Sequence, residues 1–175
     1  MKLCILIITL FVPVLALIPA YAIDNVHFSG ALVAEPCTLP DTDTDIHVDF
    51  GTVIEKYLYQ NERTKDIPFT IHLEDCDTNV MNTVSVTFDG VADDELTDML
   101  ALDASSTGKG MAIGMELPDG SPLVINKATS YKQLTQGSNE LTFNAFVQIK
   151  PTVLSSKLLV AGDFSAISTF VLSYQ

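Results

Sequence analysis

The chain has 175 residues, enough for one domain with a real core. Its formal net charge is −13 and its sequence pI is about 4.3. An acidic surface of that kind argues against nucleic acid and anionic membrane as partners, because both favour basic patches.

The chain opens with "MKLCILIITLFVPVLALIPAYA", in which Lys2 leads into an apolar run from Leu3 to Ile18 that ends on Ala20-Tyr21-Ala22. This is the pattern of a cleaved secretory signal spanning residues 1–22. Pro13 and Pro19 interrupt the run and no basic stop-transfer cluster follows, which disfavours a membrane anchor. Cleavage after Ala22 removes Lys2 and Cys4 and leaves Cys37 and Cys76, an even pair in an exported protein. A disulfide between them is therefore expected, closing a loop of about 40 residues and stabilising the fold by about 4 kcal/mol.

Short alternating segments dominate the rest. "NVHFSGALV" places Val26, Phe28, Gly30 and Leu32 on one face, and "DIHVDFG" does the same with Ile46, Val48 and Phe50. "IPFTIHLEDC" aligns Ile67, Phe69, Ile71 and Leu73, and "NTVSVTFDG" aligns Val84, Val86 and Phe88. "GMAIGMELPDGSPLVI" reads as two short strands about a Pro118-Asp119-Gly120 turn. "ELTFNAFVQIK" and "DFSAISTFVLSYQ" supply the last two strands, and only "DDELTDML" at 93–100 has helical spacing, through Leu96, Met99 and Leu100. Strands with turn residues between them give one all-β domain, an antiparallel sandwich.

Catalytic patterns are missing from this sequence. It contains no GxSxG, GxxxxGK[ST] or HExxH, and His27, His47 and His72 fall on polar phases of strands as surface residues. "DTDTD" resembles the opening of a calcium loop, but Ile46 and Thr52 stand where glycine and glutamate are needed. Asp41, Asp43 and Asp45 therefore read as a solvated acidic loop, as do Asp93, Asp94 and Glu95. No enzyme, cofactor or metal site is expected.

The two ends carry the functional information. The last alternation, Phe170, Leu172 and Tyr174, runs to Gln175 with no residues left for the strand that follows in an Ig-like sandwich. Such a gap exposes a groove lined by core side chains between the first and last strands. At the other end, "IDNVHFSGALV" is a spare strand-like piece, too close to Cys37 to cross its own domain. Exchange of strands between molecules is the expectation.

These features together resemble the pilins of chaperone–usher pili, including type 1 and P pilus subunits, over the whole mature chain. "VHFSGALVAEPC" looks like that family's N-terminal extension and first cysteine, and "LEDCDTNV" like the surroundings of its second. Tyr174 and Gly162 match its penultimate aromatic and upstream glycine. The resemblance implies an incomplete Ig-like sandwich that lacks its final (G) strand and is completed by a donor strand from another chain. It divides the chain into a signal (1–22), a donor extension (23–33) and a pilin domain (34–175). It further implies that Val26, Phe28, Gly30 and Leu32 enter a neighbour's groove, with Gly30 where a side chain would clash. Gly162, Phe170, Leu172, Tyr174 and Gln175 would form the acceptor groove and chaperone contact. The implied partners are neighbouring pilin subunits, a periplasmic chaperone and an outer-membrane usher, and the implied destination is a surface fimbria reached through the periplasm. The alternative is a self-contained secreted Ig-like module that binds a ligand through its loops.

Overall fold

The computed structural model describes Phe28–Gly30, Leu32 and Ala34–Gln175; the signal segment, Val26 and His27 lie outside the described residues. The chain divides into two compact units, Met1–Val33 and Ala34–Gln175.

In the second unit the described strands are β1 (Ile67–Cys76), β2 (Thr83–Gly90), β3 (Met111–Glu116), β4 (Pro122–Leu123), β5 (Lys132–Gln133), β6 (Gly137–Ile149) and β7 (Ser168–Tyr174). They form two antiparallel sheets, in the orders β1-β6-β3-β4 and β5-β2-β7. Period-two alternation puts one face of each strand inward. Ile71 and Leu73 of β1, Val84, Val86 and Phe88 of β2, and Leu141, Phe143, Ala145, Val147 and Ile149 of β6 are all buried in the core between the sheets. Phe88 meets Phe143 edge-on with ring centroids 5.0 Å apart.

Every residue of β3 is buried, on both faces of its sheet. Met111, Ile113 and Met115 point into the core, while the Phe146 ring lies over Gly114 so closely that a Cβ there would sit 2.3 Å from it. The Arg63 guanidinium stacks 3.5 Å above the same ring and donates to Glu116 Oε2 at 2.9 Å. This cover pairs a buried carboxylate with a cation and seals the outer face of the central strand.

The disulfide expected between Cys37 and Cys76 is formed. Beside it, Thr38 and Glu74 exchange both backbone hydrogen bonds, at 2.7 and 2.8 Å.

Three expectations are corrected. Residues 45–51 alternate as read, with Ile46, Val48 and Phe50 half-buried, yet they form no strand, because a strand needs a backbone partner and the described residues supply none. Residues 93–100 are a turn and not a helix: Asp93 Oδ1 accepts the N–H groups of Glu95 and Leu96, and Leu100 exchanges backbone bonds with Ile113. Asp43 and Asp93 are buried instead of solvated, Asp93 against Lys150 Nζ at 2.7 Å and Asp43 against His72. Among the described residues the α-helices are α1 (Glu55–Asn61) and α2 (Pro151–Ser156), each ended by a left-handed residue, Glu62 and Lys157.

Candidate strand-accepting groove

One edge of β7 is bonded to β2; along its other edge no strand pairs among the described residues. That edge borders a groove of about 730 Å³. The first wall is the extended segment 45–50, whose Ile46, Val48 and Phe50 face in while Asp45, His47 and Asp49 face solvent. The second is β7 with the residues leading into it, Phe164 to Phe170. The floor is the sandwich core itself, with Phe69, Phe88, Ile113, Met115 and Ala145. A second compartment of about 440 Å³ continues past it, between Val48, Leu58, Met111 and Leu159. Where the two meet, the rings of Phe50 and Phe164 approach across the groove to a centroid distance of 6.1 Å, and both rings line both compartments.

The walls are held differently. The second is pinned to the loop before β3: Thr107 and Gly108 donate their N–H groups to the Asp163 carbonyl, and Val160 exchanges backbone bonds with Lys109. Gly162 permits that approach, since a Cβ there would lie 2.6 Å from the Gly108 nitrogen. In the first wall, the backbone of 45–53 makes no bond to other backbone among the described residues, and the Gly51 N–H turns back to Asp49 Oδ1.

The structure brings together part of the expected acceptor set. Phe170 lines the larger compartment and Gly162 the smaller. Leu172 and Tyr174 continue the same half-buried face of β7 beyond the two compartments. Burial raises the Tyr174 phenol above its ordinary pKa, and the charge of Glu35 adds to the rise. Gln175 is engaged in backbone pairing: its oxygen accepts from Asn82 and Thr83, and its N–H donates to Thr83.

Of the expected donor residues, Phe28 is 95% exposed and Leu32 fully so, and a Cβ on Gly30 would meet nothing within 4 Å. Sequence reasoning missed Phe164 and the meeting of Phe50 with it, because the two are far apart in the chain. It also missed the smaller compartment, built largely from residues 48–53 and the segment after α2. The alternation of Ile46, Val48 and Phe50 was the available signal for the first wall.

The chain matches the family model described as fimbrial protein over residues 26–175. It is 36% identical to the fimbrial-like protein YfcP of Escherichia coli K12, covering 86% of this chain and 83% of that one. To the type-1 fimbrial protein A chain of Salmonella typhi it is 35% identical, covering 86% and 82%. Its fold matches the P pilus rod subunit PapA with a TM-score of 0.70 at 26% identity, over 81% of this chain and all of the other. It matches the subunit of a chaperone–usher pilus structure with a TM-score of 0.69 at 25% identity, over 91% of this chain and all of the other. These likenesses do not favour the self-contained binding module. The chain belongs to the fimbrial protein family, as a pilus subunit whose all-β, Ig-like sandwich lacks its last strand.

Proposed function

We propose that the chain is a structural, non-catalytic subunit of a chaperone–usher fimbria, with no cofactor, whose groove is filled by the N-terminal segment of a neighbouring subunit. Residues 1–22 direct export, a periplasmic chaperone holds the groove in transit, and an outer-membrane usher exchanges that hold for the neighbour's strand, building an adhesive surface fibre. Donor-strand addition by pilins is a known mode of strand recognition. The observation that carries this reading is the free edge of β7 beside an apolar groove, in a chain whose own Phe28 and Leu32 are exposed.

The divided groove suggests a register. Alternate residues of a strand lie about 6.5–7 Å apart, so Phe28, Gly30 and Leu32 address three successive places. Gly30 fits over the Phe50–Phe164 pair, where a side chain would strike the rings. Phe28 then fits the larger, aromatic-lined compartment and Leu32 the smaller, which sets the donor antiparallel to β7. Burying Val26, Phe28 and Leu32 stabilises the assembly by about 5–9 kcal/mol at most, comparable to the stability of a small domain.

Gly30→Arg tests the reading. The variant should fold and bind chaperone as the parent does but fail as a donor, so that polymers terminate wherever it is incorporated. Fibres of normal length made from the variant alone would refute the role of Gly30.

A further inference from the structure

The first wall of the groove belongs to a segment that changes sheets. At Thr38 the chain is paired to the free edge of β1 through Glu74, and by Ile46 it lies across the groove from β7 with no backbone partner. The departure happens at Asp43, in the short 3-10 turn Asp41–Asp43. Two residues back along β1 from Glu74, the edge N–H of His72 donates to Asp43 Oδ2 at 2.5 Å. The same oxygen lies 2.8 Å from His72 Nδ1, which donates to it as Nδ1–H. Thr42 Oγ1 donates to Oδ1 at 3.0 Å. A carboxylate thus stands where the carbonyl of a continuing edge strand would be. The main chain can peel away from β1 without leaving a strand N–H unpaired.

Two further facts make this contact more than a loop detail. The Asp43 side chain is buried, a costly place for a charge unless its lone pairs are used. Burial pushes its carboxyl up, but the His72 N–H and ring and the Thr42 hydroxyl outweigh burial and hold it below the ordinary value. Among the described residues, moreover, these bonds to His72 are the only hydrogen-bonded link between residues 39–53 and the rest of the domain.

We propose that Asp43 is a positioning residue for the groove: its clasp on His72 fixes where the chain leaves β1, and so sets the spacing of Ile46, Val48 and Phe50 from β7. The proposal rests on the strand-accepting reading above and assigns to that site a determinant of how well a donor fits.

The test is the affinity of the exported protein for a synthetic peptide copying residues 24–35, with thermal unfolding measured on the same samples. Asp43→Ala should weaken peptide binding roughly tenfold, as expected for losing hydrogen bonds to a charged group. Asp43→Asn, whose side-chain oxygen can still accept the His72 N–H, should stay within about threefold of wild type. His72→Ala keeps the backbone bond and loses the ring, and should fall between; it also carries the test should Asp43→Ala not fold. A purely structural role would lower the melting temperatures and leave peptide affinity at the wild-type value in every folded variant, and that result would overturn the proposal. A wild-type protein that takes no peptide would remove the strand-accepting reading and this inference with it, whereas equal binding by all variants removes the inference alone.

Discussion

Gly30 and Gly162 stand in very different surroundings. A Cβ on Gly162 would lie 2.5 Å from Thr107 Oγ1 and 2.6 Å from the Gly108 nitrogen, so the wall of the groove would have to move off its loop. A Cβ on Gly30 meets nothing within 4 Å among the described residues. Gly162→Ala should therefore destabilise the isolated subunit by about 1–3 kcal/mol, lowering its melting temperature by about 3–10 °C. Gly30→Ala should leave the melting temperature unchanged, and calorimetry of the two side by side is the check. Equal effects would mean that Gly162 is not held by that close approach. The reason for Gly162 was not visible in the sequence, since it depends on Thr107 and Gly108, far away in the chain; for Gly30 the family resemblance implies a place in a neighbour's groove with no room for a side chain. The acidic runs teach the same lesson. "DTDTD" and "DDE" both read as solvated loops, yet Asp43 and Asp93 are buried. Which carboxylate of a run turns inward is decided by the partner it finds, here His72 or Lys150, and hydropathy carries no record of that partner.

At the level of elements, the long strands were legible and the short elements, β5 (Lys132–Gln133) among them, were not. β1, β2, β6 and β7 carry long period-two alternations, each turning inward the face the pattern names, whereas β3 is short and buried on both faces. α1 and α2 are too short for an apolar stripe to repeat, and α1 buries only Leu58. The segment 45–51 is the instructive case: its alternation is real and its inward residues do face inward, but it pairs with nothing described. Hydrogen exchange separates these two kinds of extended chain. Amides of 45–53 should exchange with little protection in the donor-free subunit, while those in the centre of β6 exchange only on global unfolding. Adding a donor strand should slow exchange along the free edge of β7. Strong protection of 45–53 without any donor would show that another partner already covers it.

For the whole molecule, the sequence pattern was sufficient to specify an all-β sandwich with a structural disulfide, and the structure agrees in both respects. What alternation could not reveal was the groove's division by Phe50 and Phe164 into two compartments, because that requires knowing which residues distant in sequence meet across the opening. The sandwich is left with part of its core as the floor of an open groove, so its stability should depend on what fills that groove. Thermal unfolding tests this most directly, comparing Asp24–Gln175 with the same chain carrying a copy of residues 24–35 joined to its C-terminus by a flexible linker. If a donor strand completes the fold, the second form should melt higher by roughly 10–30 °C, as burial of about 5–9 kcal/mol requires. A parent that is already stable and a melting temperature that does not move would contradict it.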